Sequence, residues 1–158
     1  MSNGTISIVF SELAAADVDA VVDIENHSFE TPWSRNLFLR ELSTEISRMT
    51  LAWADEHHHR LLGYVCRWLV LDEIQILNLG VHPICRRRGV GRALVQRVID
   101  EAYEKQVNTI TLEVRDGNES AMKLYESFGF ERTGLRPDYY GNGRHGVLMS
   151  LRLGWKRT

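Results

Sequence analysis

Apolar positions along the chain recur at two different intervals, and each change of interval marks the border of a predicted element. Residues 5–10 read as an opening strand. Val18, Val21 and Val22 then fall with Glu25 on one stripe at helical spacing, which predicts a helix over residues 14–29. Thr31-Pro32-Trp33-Ser34 is a break, after which Thr31 or Ser34 can cap a second helix reaching about residue 42. Residues 48–55 and 61–71 read as two strands joined by the polar turn 56–60, and residues 74–81 as a third strand that stops before Pro83. A helix follows over 90–105, then a β-branched strand over 109–114. Asp116-Gly117-Asn118 is a turn whose Asn118 is placed to cap a helix over 119–128, which Gly129 ends. Strands at 130–136 and 147–153 flank the loop 138–144. Strands joined by both hairpins and helical crossovers predict an α/β domain of two or three layers around a mixed sheet.

Composition narrows the picture. A chain of 158 residues that is 44% hydrophobic suits one domain spanning residues 1–158, with a substantial core. The net charge of −2 gives no global basic excess, which argues against nucleic acid or an anionic membrane as partner. Two cysteines, Cys66 and Cys85, make a disulfide framework improbable and fit a reducing cytoplasm. No stretch approaches the ~20 apolar residues of a membrane span, and no basic-then-apolar leader opens the chain.

Positive charge is concentrated locally. Arg86-Arg87-Arg88-Gly89-Val90-Gly91, followed by Arg92, lies between a predicted strand and a predicted helix. A glycine-rich turn at a helix start directs backbone N–H groups and the positive helix end toward a common point, which suits a pyrophosphate. Guanidinium groups reinforce it. The spacing excludes two familiar nucleotide loops: no Lys-Ser/Thr follows Gly91, and Leu94 stands where a dinucleotide fingerprint needs its third glycine. On the loop alone, a plain basic turn punctuated by glycines is also an open reading.

A second motif, Asn118-x-x-Ala121-x-x-Leu124-Tyr125-x-x-Phe128-Gly129-Phe130, follows the strand 109–114. Together with Arg86-x-x-Gly89-x-Gly91 it resembles the Gcn5-related N-acetyltransferases (GNAT). Phe29-Glu30-Thr31-Pro32-Trp33-Ser34, Leu112-Glu113-Val114-Arg115 and Arg136-Pro137-Asp138-Tyr139-Tyr140 resemble the RimI branch of that superfamily, and the likeness runs from about Ile6 to Leu153. It implies a GNAT fold: a mixed sheet of six or seven strands, splayed at the acetyl-CoA site and flanked by about four helices. It further implies acetyl transfer from acetyl-CoA, the sole co-substrate, to the N-terminal alanine of the eighteenth small-subunit ribosomal protein, by a monomer without metal. One departure is His145-Gly146, where this branch often carries Asp-Ala; that bears on peptide contacts near the last strand.

By the resemblance, the diphosphate lies on Arg86, Arg87, Arg88, Gly89, Val90, Gly91 and Arg92. Backbone at Leu79, Gly80 and Val81 holds the pantetheine arm and acetyl carbonyl, where N–H donors would stabilise a developing oxyanion. Alternation along 109–114 puts Thr111 and Glu113 on one face, and the resemblance makes Glu113 the general base. Glu73, at the start of another strand, is the rival. The resemblance gives Tyr125 the role of acid to the departing thiolate. Its spacing with Ala121, Leu124 and Phe128 equally fits a buried stripe. Asn118 fits both a helix cap and a coenzyme contact.

The aromatic residues Phe29, Trp33, Tyr139 and Tyr140 are candidates for a peptide-side wall. Asp72 and Glu73 could meet a basic second residue of the substrate. His57-His58-His59 lies in a hairpin turn without metal-site spacing, and Cys85 has no matching histidine for an acyl-cysteine route. An α-amine has a pKa of about 7.7 to 8, so roughly a tenth is free base at neutral pH, which asks little of a carboxylate base. Two other functions remain open: acetylation of other protein N-termini or a small amine, and a CoA-binding regulatory protein without turnover.

Overall fold

A computed structural model describes residues 7–55, 57, 60–138, 143 and 145–154. Its seven strands are β1 (Val9–Glu12), β2 (Ser47–Trp53), β3 (Leu61–Val70), β4 (Glu73–Val81), β5 (Thr109–Arg115), β6 (Glu131–Arg136) and β7 (Gly146–Arg152). They form one sheet in the order β1-β2-β3-β4-β5-β7-β6. Only β4 and β5 pair in parallel, and the crossover between them carries a helix, as a parallel connection requires. The four α-helices are α1 (Val18–Ser28), α2 (Arg35–Leu42), α3 (Val90–Glu104) and α4 (Glu119–Ser127).

Each helix buries one stripe. Val18, Val21 and Ile24 of α1 and Phe38 of α2 pack with Leu51, Tyr64 and Cys66 on one face of the sheet. Val90, Leu94, Val95, Val98, Ile99 and Ala102 of α3, with Met122 and Tyr125 of α4, cover Ile74, Ile110, Leu112 and Val114 on the other. The result is three layers. The caps follow the sequence: Ser34 Oγ accepts from Leu37 N at 3.1 Å, and Asn118 Oδ1 accepts from Ala121 N at 3.3 Å. Past α4, Gly129 adopts φ 99°, with Phe130 N bonded to Tyr125 O and Gly129 N to Glu126 O.

Two element starts differ from the sequence reading by more than two residues, and the other bounds agree to within one or two. The first strand covers Val9–Glu12 rather than 5–10, because its register is set by β2, from Val9↔Trp53 to Glu12↔Thr50. The helix expected over 14–29 begins as a 3-10 turn, Ala15–Asp17, where Asp17 Oδ2 accepts from Ala14 N, and only then becomes α1.

The feature that positions the site is a partial pairing. β4 and β5 match from Glu73↔Thr109 to Ile76↔Leu112 and no further. On its other edge β4 stays paired with β3 up to Val81↔Gly63, through an irregularity beside Leu77. β5 meanwhile stays paired with β7 up to Arg115↔Gly146. The two strands therefore part after Ile76 and Leu112, and a wedge opens between Leu77–Val81 and Glu113–Arg115. Backbone N–H and C=O groups along that stretch of β4 face the wedge without a ladder partner.

Candidate active site

Four elements converge on the wedge. Along β5, exposure alternates residue by residue: Ile110, Leu112 and Val114 are buried under α3 and α4, while Thr109, Thr111, Glu113 and Arg115 look toward α1 and α2. Glu113 is the first residue past the last β4–β5 pair. Its Oε1 meets Arg136 Nη1 of β6 at 3.1 Å. Its Oε2 is buried and has no hydrogen-bond partner among the described residues. A buried carboxylate oxygen without a donor is costly unless water, a ligand or a reacting group completes it. Glu73 sits at the closed end of the β4–β5 pair, where its Oε1 accepts from Thr111 Oγ1 at 2.8 Å. Asp72 Oδ2 likewise accepts from Asn108 Nδ2 at 2.6 Å.

Tyr125 approaches from the other side of the sheet. It is buried in the α3–α4 core, edge-on to Phe130 with ring centroids 5.5 Å apart. Leu79 and Val81, from the open half of β4, pack against the same core. Burial pushes the phenol pKa above its ordinary value, so the hydroxyl keeps its proton at neutral pH. Core membership and a proton-donor role are thus compatible: the ring belongs to the stripe, and its hydroxyl is protonated.

Beyond β4 the chain passes a short 3-10 turn, Pro83–Cys85, capped by His82 Nδ1, and enters the arginine-glycine turn. Arg86, Arg87 and Arg88 are exposed. Arg87 has φ 64°, and Gly89 takes φ 85° as the residue that starts α3. No side chain caps that helix start. The first-turn N–H groups of α3 are therefore free to meet an anion, helped by the helix dipole. A Cβ on Gly89 would meet nothing within 4 Å, so the space above the turn is open. Arg92 is set aside from the turn: its guanidinium stacks 5.1 Å above the Phe128 ring and donates to Ser127 Oγ. Asn118 caps α4 through its side chain. These residues fit a coenzyme A diphosphate, and the backbone of Leu79, Gly80 and Val81, paired with β3 but not with β5, leads from that turn toward Glu113.

On the α1–α2 face, Phe29 ends α1 and Trp33 packs its ring 5.3 Å from Phe38. Both are half-buried. Glu30, between them, reaches Arg115 Nη1 at 3.0 Å, so the 29–34 segment is tied to the far side of the wedge. Tyr139 and Tyr140 lie outside the described residues, as do His58 and His59.

Several residues of this site were not expected. Arg136 is one, since its register opposite Gly146 and its reach to Glu113 depend on β6 folding back along β7. Glu25, counted in the sequence as part of an apolar stripe, is a buried carboxylate holding three donors: Trp33 N and Asn78 Nδ2, each at 2.8 Å, and the Tyr64 hydroxyl. A glutamate interrupting a valine-isoleucine stripe was the available signal.

The match to known proteins decides the family. The model of the acetyltransferase (GNAT) family fits residues 18–130, which run from α1 through the arginine-glycine turn to just past α4. The chain belongs to the GNAT family. Members transfer acetyl groups from acetyl-CoA, and the seven-stranded splayed sheet with four helices is their fold. The chain is 37% identical over 150 residues to the [ribosomal protein bS18]-alanine N-acetyltransferase of Salmonella typhimurium, covering 93% of this chain and 96% of that one. It superposes on the crystal structure of the ribosomal-protein-S18-alanine N-acetyltransferase from Escherichia coli with a TM-score of 0.86, at 30% identity, covering 96% and 97% of the two chains. Arabidopsis thaliana NAA60, solved in complex with acetyl-CoA, shares the fold alone, with a TM-score of 0.83 at 21% identity over 93% of this GNAT chain and 99% of its own.

No helix among the described residues is long and apolar enough to cross a membrane. Among those residues, too, no group of histidine, cysteine, aspartate and glutamate side chains is arranged to hold a metal ion.

Proposed function

We propose that this GNAT chain acetylates the N-terminal alanine of ribosomal protein bS18, by direct transfer from acetyl-CoA in a ternary complex, as a single-domain cytoplasmic monomer. The observation that carries the reading is Glu113: a carboxylate at the point where β4 and β5 part, with one oxygen held by Arg136 and the other buried without a donor. The names and near full-length coverage of the bacterial relatives support the choice of substrate.

In this reading Arg86, Arg87, Arg88, Gly89, Val90, Gly91 and Arg92 hold the diphosphate through backbone amides at the start of α3 and through the guanidinium groups of Arg86, Arg87 and Arg88, that of Arg92 being engaged by Phe128 and Ser127, and Asn118 borders the coenzyme while capping α4. Leu79, Gly80 and Val81 take the pantetheine arm as an added strand edge, and their N–H groups polarise the thioester carbonyl. Glu113 accepts a proton from the incoming α-ammonium at Oε2, directly or through one water, leaving a free lone pair to attack. The amide bond forms as the thioester C–S bond breaks; Tyr125 gives its proton to the departing sulfur, and the second proton shed by the new amide nitrogen restores the phenol. Phe29, Trp33 and Glu73 line the peptide side.

The test is a panel of peptides beginning with alanine, serine or methionine, plus one carrying only an internal lysine, each incubated with acetyl-CoA and read by mass. Acetylation of the alanine peptide at its α-amine is the expected result. Acetylation of the lysine or of a small amine in preference would move the assignment to another acceptor. Tight acetyl-CoA binding with no product on any acceptor would replace it with a non-catalytic, coenzyme-sensing role.

A further inference from the structure

Among the described residues Glu25 is the most deeply buried carboxylate, at 1% exposure, and it lies outside the chemistry just described. A buried carboxylate is not needed for stability, since apolar residues of similar volume commonly serve as well. Its partners suggest another reason for keeping it. Trp33 N, bonded to Oε2, belongs to the 29–34 segment on the peptide side. Asn78 Nδ2, bonded to Oε1, belongs to the open half of β4, two residues past its last pairing with β5. The Tyr64 hydroxyl, also on Oε1, comes from β3, and the Tyr64 ring fills the space where a Cβ on Gly80 would stand. One carboxylate thus joins the segment that walls the peptide to the strand that would hold the acetyl group. The same segment is held on the other side of the wedge by Glu30 and Arg115.

We propose that Glu25 is a positioning residue that fixes the 29–34 segment against the open half of β4, and so sets the affinity for the peptide rather than for acetyl-CoA. This rests on the N-terminal acetyltransferase reading above. It assigns Glu25 no contact with the reacting atoms. The three donors come from backbone, hydroxyl and amide groups, which a carboxylate satisfies at once. A glutamine does so less well: with its oxygen toward Tyr64 and Asn78 its NH2 faces the Trp33 N–H, donor against donor, and with its NH2 toward them both the Tyr64 hydroxyl and the Asn78 amide must turn to accept.

The experiment compares Glu25→Gln and Tyr64→Phe with the unaltered protein. Glu25→Gln should raise KM for the alanine peptide on the order of tenfold with kcat changed far less, while acetyl-CoA affinity by calorimetry stays within about twofold. In hydrogen exchange followed by NMR, the Trp33 amide should lose protection. Tyr64→Phe, which leaves Glu25 and its bond to Trp33 in place, should show the same split at smaller amplitude, and it carries the test if Glu25→Gln does not fold. Unchanged peptide KM, or acetyl-CoA affinity falling in step with it, overturns the proposal. If the unaltered protein acetylates none of the peptides, the substrate reading fails on its own. The Trp33 exchange and the acetyl-CoA affinity then still decide whether Glu25 ties the segment to β4 without serving the coenzyme.

Discussion

Glu113 and Tyr125 stand on opposite faces of the sheet, and in the proposed reaction the parting of β4 from β5 is what lets groups on both faces address one point. Their roles separate cleanly by substitution. Glu113→Gln keeps the shape and an acceptor for Arg136 but removes the base, so kcat/KM should fall by roughly 10²- to 10⁴-fold while thermal stability is unchanged. The defect should shrink as pH rises past about 8, where the substrate α-amine loses its proton unaided. A pH profile of both proteins on the alanine peptide checks this; a ratio that stays constant to high pH removes Glu113 as base. Tyr125→Phe deletes one oxygen from a ring that stays packed on Phe130. A rate loss on the order of a hundredfold with an unchanged melting temperature marks an acid, and unchanged rate marks a core residue only. Strand alternation made the face of Glu113 legible in the sequence. What singles it out as a candidate base, the buried Oε2 without a partner among the described residues and the Arg136 contact, was not, because both depend on β6 and β7 folding back beside β5.

Elements were legible where local chemistry sets them. Ser34, Asn118 and Gly129 bound their helices as their side chains or lack of one would dictate. The wedge was not legible from either strand alone, since it is a property of how far two strands, separated by α3, remain in register. Backbone conformation gives two tests at this scale. Gly89 starts α3 at φ 85°, a region that costs other residues about 1–2 kcal/mol. Gly89→Ala should lower stability by about 1 kcal/mol and weaken acetyl-CoA binding by distorting the amide cradle, both readable by calorimetry. Leu71 is the reverse case. It occupies the first loop position of the two-residue β3–β4 hairpin at φ 55°, and it is 95% exposed. A glycine there suits the turn and forfeits no packing. Leu71→Gly should raise stability by about 0.5–1 kcal/mol, seen as a melting temperature higher by a few degrees.

At the scale of the whole molecule, polar groups inside the fold tie layers together where apolar packing alone leaves them free to slide. Glu25 does so on the α1–α2 side. On the α3 side, Arg67 of β3 donates to Glu101 of α3 through Nε and Nη2, at 2.9 and 2.7 Å, and to Thr50 of β2 through Nη1. Neither link could be foreseen, because Arg67 lies in a strand of apolar neighbours and Glu101 is 34 positions away. Burial by itself would raise the Glu101 carboxyl, but the Arg67 hydrogen bonds and charge outweigh it and hold the pKa below its ordinary value. A carboxyl lowered on folding lends stability that is complete above its unfolded pKa, about 4.3, and drains away as pH falls through the lower folded value. Breaking a buried pair by removing one charge is costly, so Glu101→Gln should cost about 3 kcal/mol near pH 7. Because the glutamine has no proton to take up, the stability gap between the two proteins should close steadily below about pH 4. Urea unfolding of both from pH 7 to pH 3 measures it. A gap that does not narrow toward acid would mean that Glu101 acts in the fold through its shape and hydrogen bonds, with its charge contributing nothing to holding α3 on the sheet.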